Sequence, residues 1–384
     1  MQKWEQIQGV YIHTPFCLQK CLYCDFASYS GYDTETMENY VDAVCSEITM
    51  RSNAMPIAEQ VTLYFGGGTP SLLPEKFLAK LVEALQKNGC WLQSAEATIE
   101  VNPGTADLNK LRFFKALGFD RISFGVQSLN NAELRAVGRI HTASEALDAI
   151  KMADKAGFTR VSADLIYGLP EQSLQTLKTS LQNLTAAGLQ HLSVYGLTVE
   201  ENTPLAGLLD KGKLELPDED CQLAMYELVQ EYLEAQGLHR YEISNYAVSG
   251  QESRHNLVYW HYLPYLSFGS SACSFNGSRR FTATASVTDY IESIQSGKSF
   301  GDFEDLTKET QLAEYLFMGL RTSAGIDLIE AEQRFGCYVM SEFGVELEKF
   351  IRGNLVFCDI EHRRMRLTEQ GMRFSNEIFE IFVK

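Results

Sequence analysis

The feature that most restricts the fold is an alternation of short β-rich runs with longer amphipathic segments, which extends from Gly9 to about Val199. Repetition of a strand followed by a helix is typical of a parallel sheet covered by helices. Six runs are predicted to be strands: GVYIHT, VTLYFG, ATIEVN, RISFGV, RVSADLIYG and HLSVYGLTV. A complete barrel of this kind has eight strands. The pattern therefore predicts an α/β fold with a partial, open (β/α)6 barrel of the TIM type, and a doubly wound sheet is the alternative.

The rest of the chain is organised differently. A helix is predicted from about Glu219 to Gln236, and a Tyr- and Ser-rich region with little periodicity runs from Arg240 to about Ser286. Beyond about Asp305 the pattern predicts two helices, a short hairpin at LVFCDIEHRRMRLT and a last helix. We therefore divide the chain into a barrel core at 1–200, an extension of this core at 201–304, and a mostly helical, winged-helix-like domain at 305–384.

Composition limits the partners and the compartment. The formal net charge is −17 at pH 7, whereas nucleic acids and anionic membranes are bound through fields of Lys and Arg, so no nucleic-acid partner is expected. No apolar run approaches the roughly 20 residues that cross a bilayer, and the N-terminus lacks the pattern of a secretion signal. The sequence predicts a soluble protein with no transmembrane segment, either free in the cytoplasm or peripheral to a membrane through a protein partner.

Three cysteines lie together in the loop predicted after the first strand. Cys17, Cys21 and Cys24 have C-x3-C-x2-C spacing, and the nine cysteines of the chain are too sparse for a disulfide scaffold. Thiolate is the ligand that iron–sulfur clusters use, and a cluster held by three cysteines leaves one iron open. Zinc is the competing metal, but it needs a fourth ligand, and nearby His13 is predicted to lie in a strand. We therefore predict a 4Fe-4S cluster with one exchangeable ligand.

Polar or glycine-rich segments follow the predicted strands at their carboxyl ends, where barrel folds place their active sites. The glycines of YFGGGTP follow the second strand and allow the backbone to approach a ligand closely. Polar side chains follow the third, fourth and fifth strands: Glu100 in ATIEVNPG, Gln127 in FGVQS, Arg139 in VGRIHT and Asp164 in SADLIYG. Carboxylates accept hydrogen bonds from hydroxyl or ammonium groups, and Arg binds carboxylates. We expect these side chains to face one mouth of the barrel.

These motifs resemble the radical S-adenosylmethionine (SAM) superfamily, whose members bind SAM at the open iron through its amino and carboxylate groups and cleave it reductively. Tyr23, just before the third cysteine, occupies the place where the superfamily keeps an aromatic residue near the adenine. YFGGGTP is similar to its glycine-rich SAM-binding turn. The resemblance implies a radical SAM core at 1–200 with two cofactors, a 4Fe-4S cluster on Cys17, Cys21 and Cys24, and SAM.

Further segments resemble one family of this superfamily, which contains the oxygen-independent coproporphyrinogen III oxidases and the HemW-type haem chaperones. They are YIHTPFC, GGGTP, EVNPG, FGVQS, GRIHT, DLIYGLP and YEISNYA, and they are spread along most of the chain. The resemblance implies SAM contacts at Tyr11, Gly67, Gly68, Thr69, Glu100, Gln127, Arg139 and Asp164. It singles out no catalytic residue.

Two features favour the chaperones within this family. The oxidases carry a further cysteine two residues past the third cluster cysteine and a longer N-terminal segment, whereas this chain has Phe26 there and sixteen residues before Cys17. HNLVYW, at 255–260, matches the HNxxYW pattern associated with haem binding in the HemW group, and the imidazole of His255 suits an axial ligand beside aromatic rings. One departure is Cys273 in YLSFGSSACSF, where this group usually has His.

The resemblance therefore implies a haem chaperone, which binds the cluster, SAM and haem or a porphyrin and transfers haem to an acceptor haem protein or a respiratory component. Two enzymatic alternatives stay open. One is an oxygen-independent coproporphyrinogen III oxidase, in which a 5′-deoxyadenosyl radical abstracts hydrogen from a propionate before decarboxylation. The other is a related radical SAM enzyme that acts on haem itself.

Overall fold

The structure is a computed structural model that describes residues 1–91, 96–359, 361 and 363–383. Its central element is a set of six parallel strands that neighbour one another in chain order. They are β1 (Ile7–Thr14), β2 (Ile57–Gly67), β3 (Ala97–Val101), β4 (Arg121–Gln127), β5 (Arg160–Tyr167) and β6 (His191–Gly196). Each strand coincides with one of the six predicted runs, and the last three residues of the sixth run, 197–199, lie beyond β6.

Helices follow these strands along the chain and pack on their outer face. They are α1 (Thr34–Arg51), α2 (Glu75–Lys87), α3 (Leu108–Leu117), α4 (Asn131–Ala136), α5 (Ala143–Lys155) and α6 (Leu174–Ala186). The buried residues of α2 have the spacing of one apolar helix face: Phe77, Leu78, Leu81, Val82 and Leu85. Local sequence signals set where these helices begin and end. Thr142 and Glu145 form a capping box on α5, and α3 ends at Gly118 with φ +104°.

The extension adds short strands to both ends of the parallel set. Its elements are α7 (Pro204–Asp210), α8 (Glu219–Ala235), β7 (His239–Arg240), β8 (Asn245–Ala247), α9 (Arg254–Trp260), β9 (Tyr265–Phe268), β10 (Cys273–Phe275), β11 (Arg279–Ala283), α10 (Val287–Ser296) and β12 (Gly301–Asp305). The strand order is β12-β11-β10-β9-β1-β2-β3-β4-β5-β6-β8-β7. In this order β9 runs parallel to β1, and β8 is antiparallel to β6.

The sheet curves but does not close. Side chains from β2, β3, β4, β5 and β6 line one interior cavity, whereas β12 and β7 are separate edges. This arrangement confirms the partial, open barrel.

The Tyr- and Ser-rich region lacks periodicity because its strands have two to five residues, too few for an alternating pattern to be recognised.

The C-terminal part has a core of its own. Its elements are α11 (Lys308–Gly319), β13 (Ile326–Asp327), α12 (Leu328–Phe335), α13 (Val339–Arg352), β14 (Val356–Asp359), β15 (Arg364–Leu367), α14 (Glu369–Arg373) and α15 (Ser375–Phe379). The three strands pair in the order β13-β15-β14, and β14 with β15 forms the predicted hairpin, of which residues 360 and 362 lie outside the described residues. In the described part, three helices precede this hairpin and two short helices follow it, whereas the pattern predicted two and one. Tyr262 and Phe275 of the extension join this core. None of the described helices is long and apolar enough to cross a membrane.

Candidate functional site

The loop after β1 holds the three cysteines at the carboxyl end of the barrel strands. The amide of Cys17 donates to the carbonyl of Tyr29 (2.9 Å), and the amide of Leu22 donates to the carbonyl of Val137 (3.0 Å). The first bond connects the start of the loop to its later part at Tyr29, and the second connects the loop to the residue that follows α4. Cys17, Cys21 and Cys24 are free thiols, and all three line one cavity.

Each cysteine sulfur has a polar neighbour. Thr69 Oγ1 donates to Cys17 Sγ (3.6 Å), Arg139 Nη1 donates to Cys21 Sγ (3.4 Å), and Ser28 Oγ lies 3.8 Å from Cys24 Sγ. Donors to the sulfurs favour the thiolate form and tune the potential of a cluster. Burial opposes this effect at one position, where it raises the pKa of the Cys17 thiol.

The chemistry of this donor set fits the predicted cluster. Three sulfur ligands in one loop are what a 4Fe-4S cluster with one open iron requires. Within the described residues, no three side chains of His, Cys, Asp or Glu converge on a single metal ion. The thiolates of a 4Fe-4S cluster each bind a different iron, so they do not need to converge on one point.

The glycine-rich turn packs directly on the cysteine loop. Gly67 has φ +109°, a conformation that glycine adopts without strain. A Cβ on Gly68 would lie 2.7 Å from the carbonyl oxygen of Phe16 and 3.0 Å from Cys17 Sγ. The glycines therefore form a cradle that any larger side chain would fill, next to the sulfur that would bind iron.

Glu100 is held at the end of β3 by two donors. Tyr64 Oη donates to its Oε1 (2.8 Å), and the amide of Gly67 donates to its Oε2 (3.2 Å). Burial and the nearby Asp164 carboxylate raise the pKa of Glu100 to about 7, although the two hydrogen bonds lower it. A carboxylate in this position can accept hydrogen bonds from the hydroxyl or ammonium groups of a ligand.

Asp164 faces the same space from β5. Ser123 Oγ donates to its Oδ1 (3.2 Å), and the hydroxyl of Ser193 also stabilises the carboxylate. Burial nevertheless raises its pKa. Two half-buried carboxylates, from β3 and β5, therefore line the mouth.

Arg139 supplies the positive charge of the site. Its Nη2 donates to Asn102 Oδ1 (2.8 Å) and to the carbonyl of Gly125, and Asn102 in turn donates to Thr69 Oγ1 (2.7 Å). Its Nε–H is buried and has no partner among the described residues. An uncommitted guanidinium donor beside the thiols fits the carboxylate of SAM.

Most of the predicted SAM residues meet in one cavity. It is lined by the three cysteines together with Tyr23, Gly67, Gly68, Thr69, Glu100, Gln127, Arg139 and Asp164. Gln127 ends β4 with φ +65°, a strained conformation of the kind found at ligand sites. Tyr11 lines an adjoining cavity with Gly67 and Glu100. The thiols, the glycine cradle, the carboxylates and the uncommitted guanidinium thus fit a cluster with SAM.

His255 lies deeper than this cavity. Its Nδ1 is 2.8 Å from Thr62 Oγ1, its Nε2 is 2.9 Å from Tyr259 Oη, and its ring stacks on Tyr64 with centroids 5.0 Å apart. Burial lowers its pKa to about 3, so the ring is neutral. Both ring nitrogens are engaged inside the fold. To bind a haem iron, the ring would have to release one of these partners, and haem ligation stays a prediction.

Phe26, which separates this chain from the oxidases, and Cys273, which departs from the HemW pattern, both lie beside the site. Phe26 is 70% exposed at the rim of the cysteine cavity. Cys273 begins β10 and lines the adjoining cavity with Tyr11 and Tyr259. The consequence of Cys273 in place of His stays a prediction.

The sequence interpretation missed three contributors. Asn102 links Thr69 to Arg139, Tyr64 orients Glu100, and Ser123 binds Asp164. Asn102 is the last residue of a predicted strand, so the rule that identified nearby Glu100 could have found it. Tyr64 and Ser123 lie within strands, where polar residues facing a barrel interior are indistinguishable from those facing solvent.

Comparisons with known proteins show the family of the chain. The profile of the radical SAM superfamily matches residues 11–184, and that of the HemN C-terminal domain matches residues 306–374. The chain is 34% identical to the heme chaperone HemW of Bacillus subtilis, with 98% of this chain and 99% of the relative covered. It is 37% identical to HemW of Synechocystis (96% and 95% covered) and 30% identical to HemW of Escherichia coli (98% and 98%).

The fold has a close counterpart among solved structures. Coproporphyrinogen III oxidase (HemN) of Escherichia coli, described as a radical SAM enzyme, superposes with a TM-score of 0.84 over 99% of this chain and 91% of its own. The two are 22% identical, so this likeness concerns the fold alone. From the nearly full-length matches to HemW proteins, we conclude that the chain belongs to the HemW family of radical SAM proteins.

Proposed function

We propose that this protein is a haem chaperone, which binds a 4Fe-4S cluster, SAM and haem and passes haem to an acceptor haem protein or respiratory component. The observation that carries the proposal is the meeting of Cys17, Cys21 and Cys24 with Arg139 and Glu100 in one cavity. The names of the curated relatives support the chaperone role. We place the protein in the cytoplasm, from where an acceptor can bring it to a membrane surface.

The main polar groups of the cavity each have a definite task in this proposal. The three thiolates would hold three irons of the cluster, which would offer its open iron to SAM when both are bound. The free Nε–H of Arg139 receives the SAM carboxylate. Glu100 and Asp164 accept hydrogen bonds from hydroxyl or ammonium groups, and the glycine turn gives the ligand access to the backbone.

Phe26 favours the chaperone over the oxidase. It replaces the further cysteine of the oxidases with an exposed apolar ring at the rim. The test is to reconstitute the cluster anaerobically, add SAM, a reductant and coproporphyrinogen III, and measure protoporphyrinogen and 5′-deoxyadenosine. We expect no protoporphyrinogen. Its formation at enzymatic rates would establish the oxidase instead, and turnover of haem with 5′-deoxyadenosine release would establish an enzyme that acts on haem.

A haem titration tests the role of His255 with matched variants. If His255 ligates the iron through Nε2, His255→Ala should abolish the shifted Soret band. Tyr259→Phe, which removes the hydroxyl that now holds Nε2, should strengthen binding. An unchanged Soret band in His255→Ala would mean that another residue ligates the iron, and the rest of the proposal would stand.

A further inference from the structure

Beneath the candidate SAM site, the barrel interior continues as a cavity of about 380 Å³. Its upper wall shares Tyr23, Glu100 and Asp164 with that site. Its lower wall includes Arg121 and His191, the first residues of β4 and β6, which lie at the amino ends of these strands. None of the tasks proposed above uses this lower end.

Arg121 is a buried cation that no carboxylate of the described residues contacts directly. It is 3% exposed, and its only described hydrogen bond runs from Nη1 to the carbonyl of Gln251 (3.1 Å). Its Nε–H has no partner among the described residues, and none of their carboxylates forms a direct ion pair with it, although Asp164 attracts its charge from farther away. The guanidinium is charged at every accessible pH, and an unpaired buried charge is strongly destabilising.

His191 offers a second unused donor beside it. Its Nε2 lies 2.8 Å from Tyr241 Oη, and this oxygen accepts a hydrogen bond from the amide of Ser253 (3.3 Å). The phenol proton is therefore free to point to Nε2, which leaves the imidazole proton on Nδ1. That Nδ1 is buried and has no partner in the described part of the chain.

The protonation state of His191 is consistent with this assignment. Burial, with the Arg121 and Arg160 guanidinium groups, holds the pKa of His191 well below its usual range. The ring is therefore neutral and carries one N–H. Of the carboxylates that face the same cavity, Glu100 accepts hydrogen bonds from Tyr64 and Gly67, and Asp164 accepts one from Ser123. Burial raises the pKa of Asp164, and the attraction of the Arg121 charge lowers it.

We propose that Arg121 and His191 form a carboxylate-binding site at the floor of the barrel, and that this site receives a propionate group of the porphyrin. The identity of the ligand rests on the proposed function, since a porphyrin is the carboxylate-bearing molecule that a haem chaperone handles. Two buried donors, one of them charged, match the acceptor oxygens of a carboxylate. The cavity opens beside Leu197, Thr198 and Glu200, which gives the edge of a planar ligand an entrance.

The test compares iron(III) deuteroporphyrin IX with its dimethyl ester, in which the carboxylates are masked. Dissociation constants are measured by absorbance for the wild type and for Arg121→Gln, Arg121→Lys and Arg240→Gln. Arg240 is the matched control because it is also buried, but it binds Tyr226 and Glu369 away from this cavity. If Arg121→Gln does not fold, His191→Phe removes the second donor and is measured in the same way.

We expect the wild type to bind the free acid about tenfold or more tightly than the ester, as a charge-assisted hydrogen bond predicts. Arg121→Gln should lose this preference by weakening the free acid alone. Arg121→Lys should retain part of it, and Arg240→Gln all of it. An equal affinity of the wild type for both porphyrins, or an unchanged preference in Arg121→Gln, would overturn the site while leaving the chaperone proposal intact. If the wild type binds neither porphyrin, the chaperone proposal fails, and the propionate assignment fails with it.

Discussion

Replacing Glu100 with Gln should stabilise the protein without its cofactors while weakening SAM binding. The pKa of Glu100 is about 7 in the folded protein, against an ordinary value of 4.5. At 1.36 kcal/mol per pKa unit, the ionised carboxylate costs the folded state about 3 kcal/mol. Water in the cavity reduces this penalty, so we expect a gain of about 1–2 kcal/mol in the free energy of unfolding at pH 8. Gln keeps the volume and an oxygen for the Tyr64 hydroxyl.

The pH dependence identifies the cause. The pKa of Glu100 is higher in the folded protein than in the unfolded chain. Above pH 7 the carboxylate is ionised in both states, so the full penalty on the folded state applies. Below about pH 4.5 it is protonated in both states, and the penalty vanishes. The gain from Glu100→Gln should therefore decline as the pH falls from 7 to 4.5. Urea unfolding of the cluster-free protein at pH 8 and pH 5 measures it. A variant that is less stable than the wild type at pH 8, or that gains equally at both pH values, would refute the reasoning.

Three further predictions concern the cluster loop and the buried histidine. Gly68→Ala should lower the iron and sulfide content after reconstitution, because the new Cβ would crowd Cys17 Sγ. The control Gly207→Ala has open space around its Cβ and should keep the full content. Equal contents in the two variants would contradict the glycine cradle. Thr69→Val should still assemble a cluster but lower its midpoint potential in an EPR-monitored redox titration, since Cys17 loses a hydrogen bond, and an unchanged potential would count against that bond. His255→Ala should reduce the free energy of unfolding, measured in urea, by about 2–4 kcal/mol, because it leaves a cavity and removes the hydrogen bonds to Thr62 and Tyr259. A loss below about 1 kcal/mol would mean that the ring is not packed as described.

The parallel core was predictable because its signals are local. Each core strand is five or more residues long, and capping residues such as Thr142 and stop residues such as Gly118 bound the helices. In the extension, the helix predicted from about Glu219 to Gln236 is confirmed as α8, but the short strands were not predictable. Strand β9 has four residues and pairs with β1 across more than 250 residues of sequence, a partnership fixed by tertiary packing alone. Short strands of this kind carry too little pattern to assign from sequence.

The same division holds for the site. The cysteine triplet lies in the loop after β1, and Glu100 lies at the end of β3, so the position of each in the sequence gives its place at the mouth. His255 shows the limit, because sequence gives a ligand-competent side chain but not its partners, and here Thr62 and Tyr259 occupy both nitrogens. Arg121 was overlooked for a related reason. Whether a strand residue faces an interior cavity depends on the curvature of the sheet, which the sequence does not encode locally.

The pairing of β9 with β1 also has a consequence for biosynthesis. The strand that leads into the cysteine loop obtains its second neighbour only when Phe268, near the last third of the chain, has left the ribosome. Contacts so distant in sequence form slowly. We therefore expect iron and sulfide to enter the loop after translation is nearly complete, with the nascent cysteines exposed to oxidants until then.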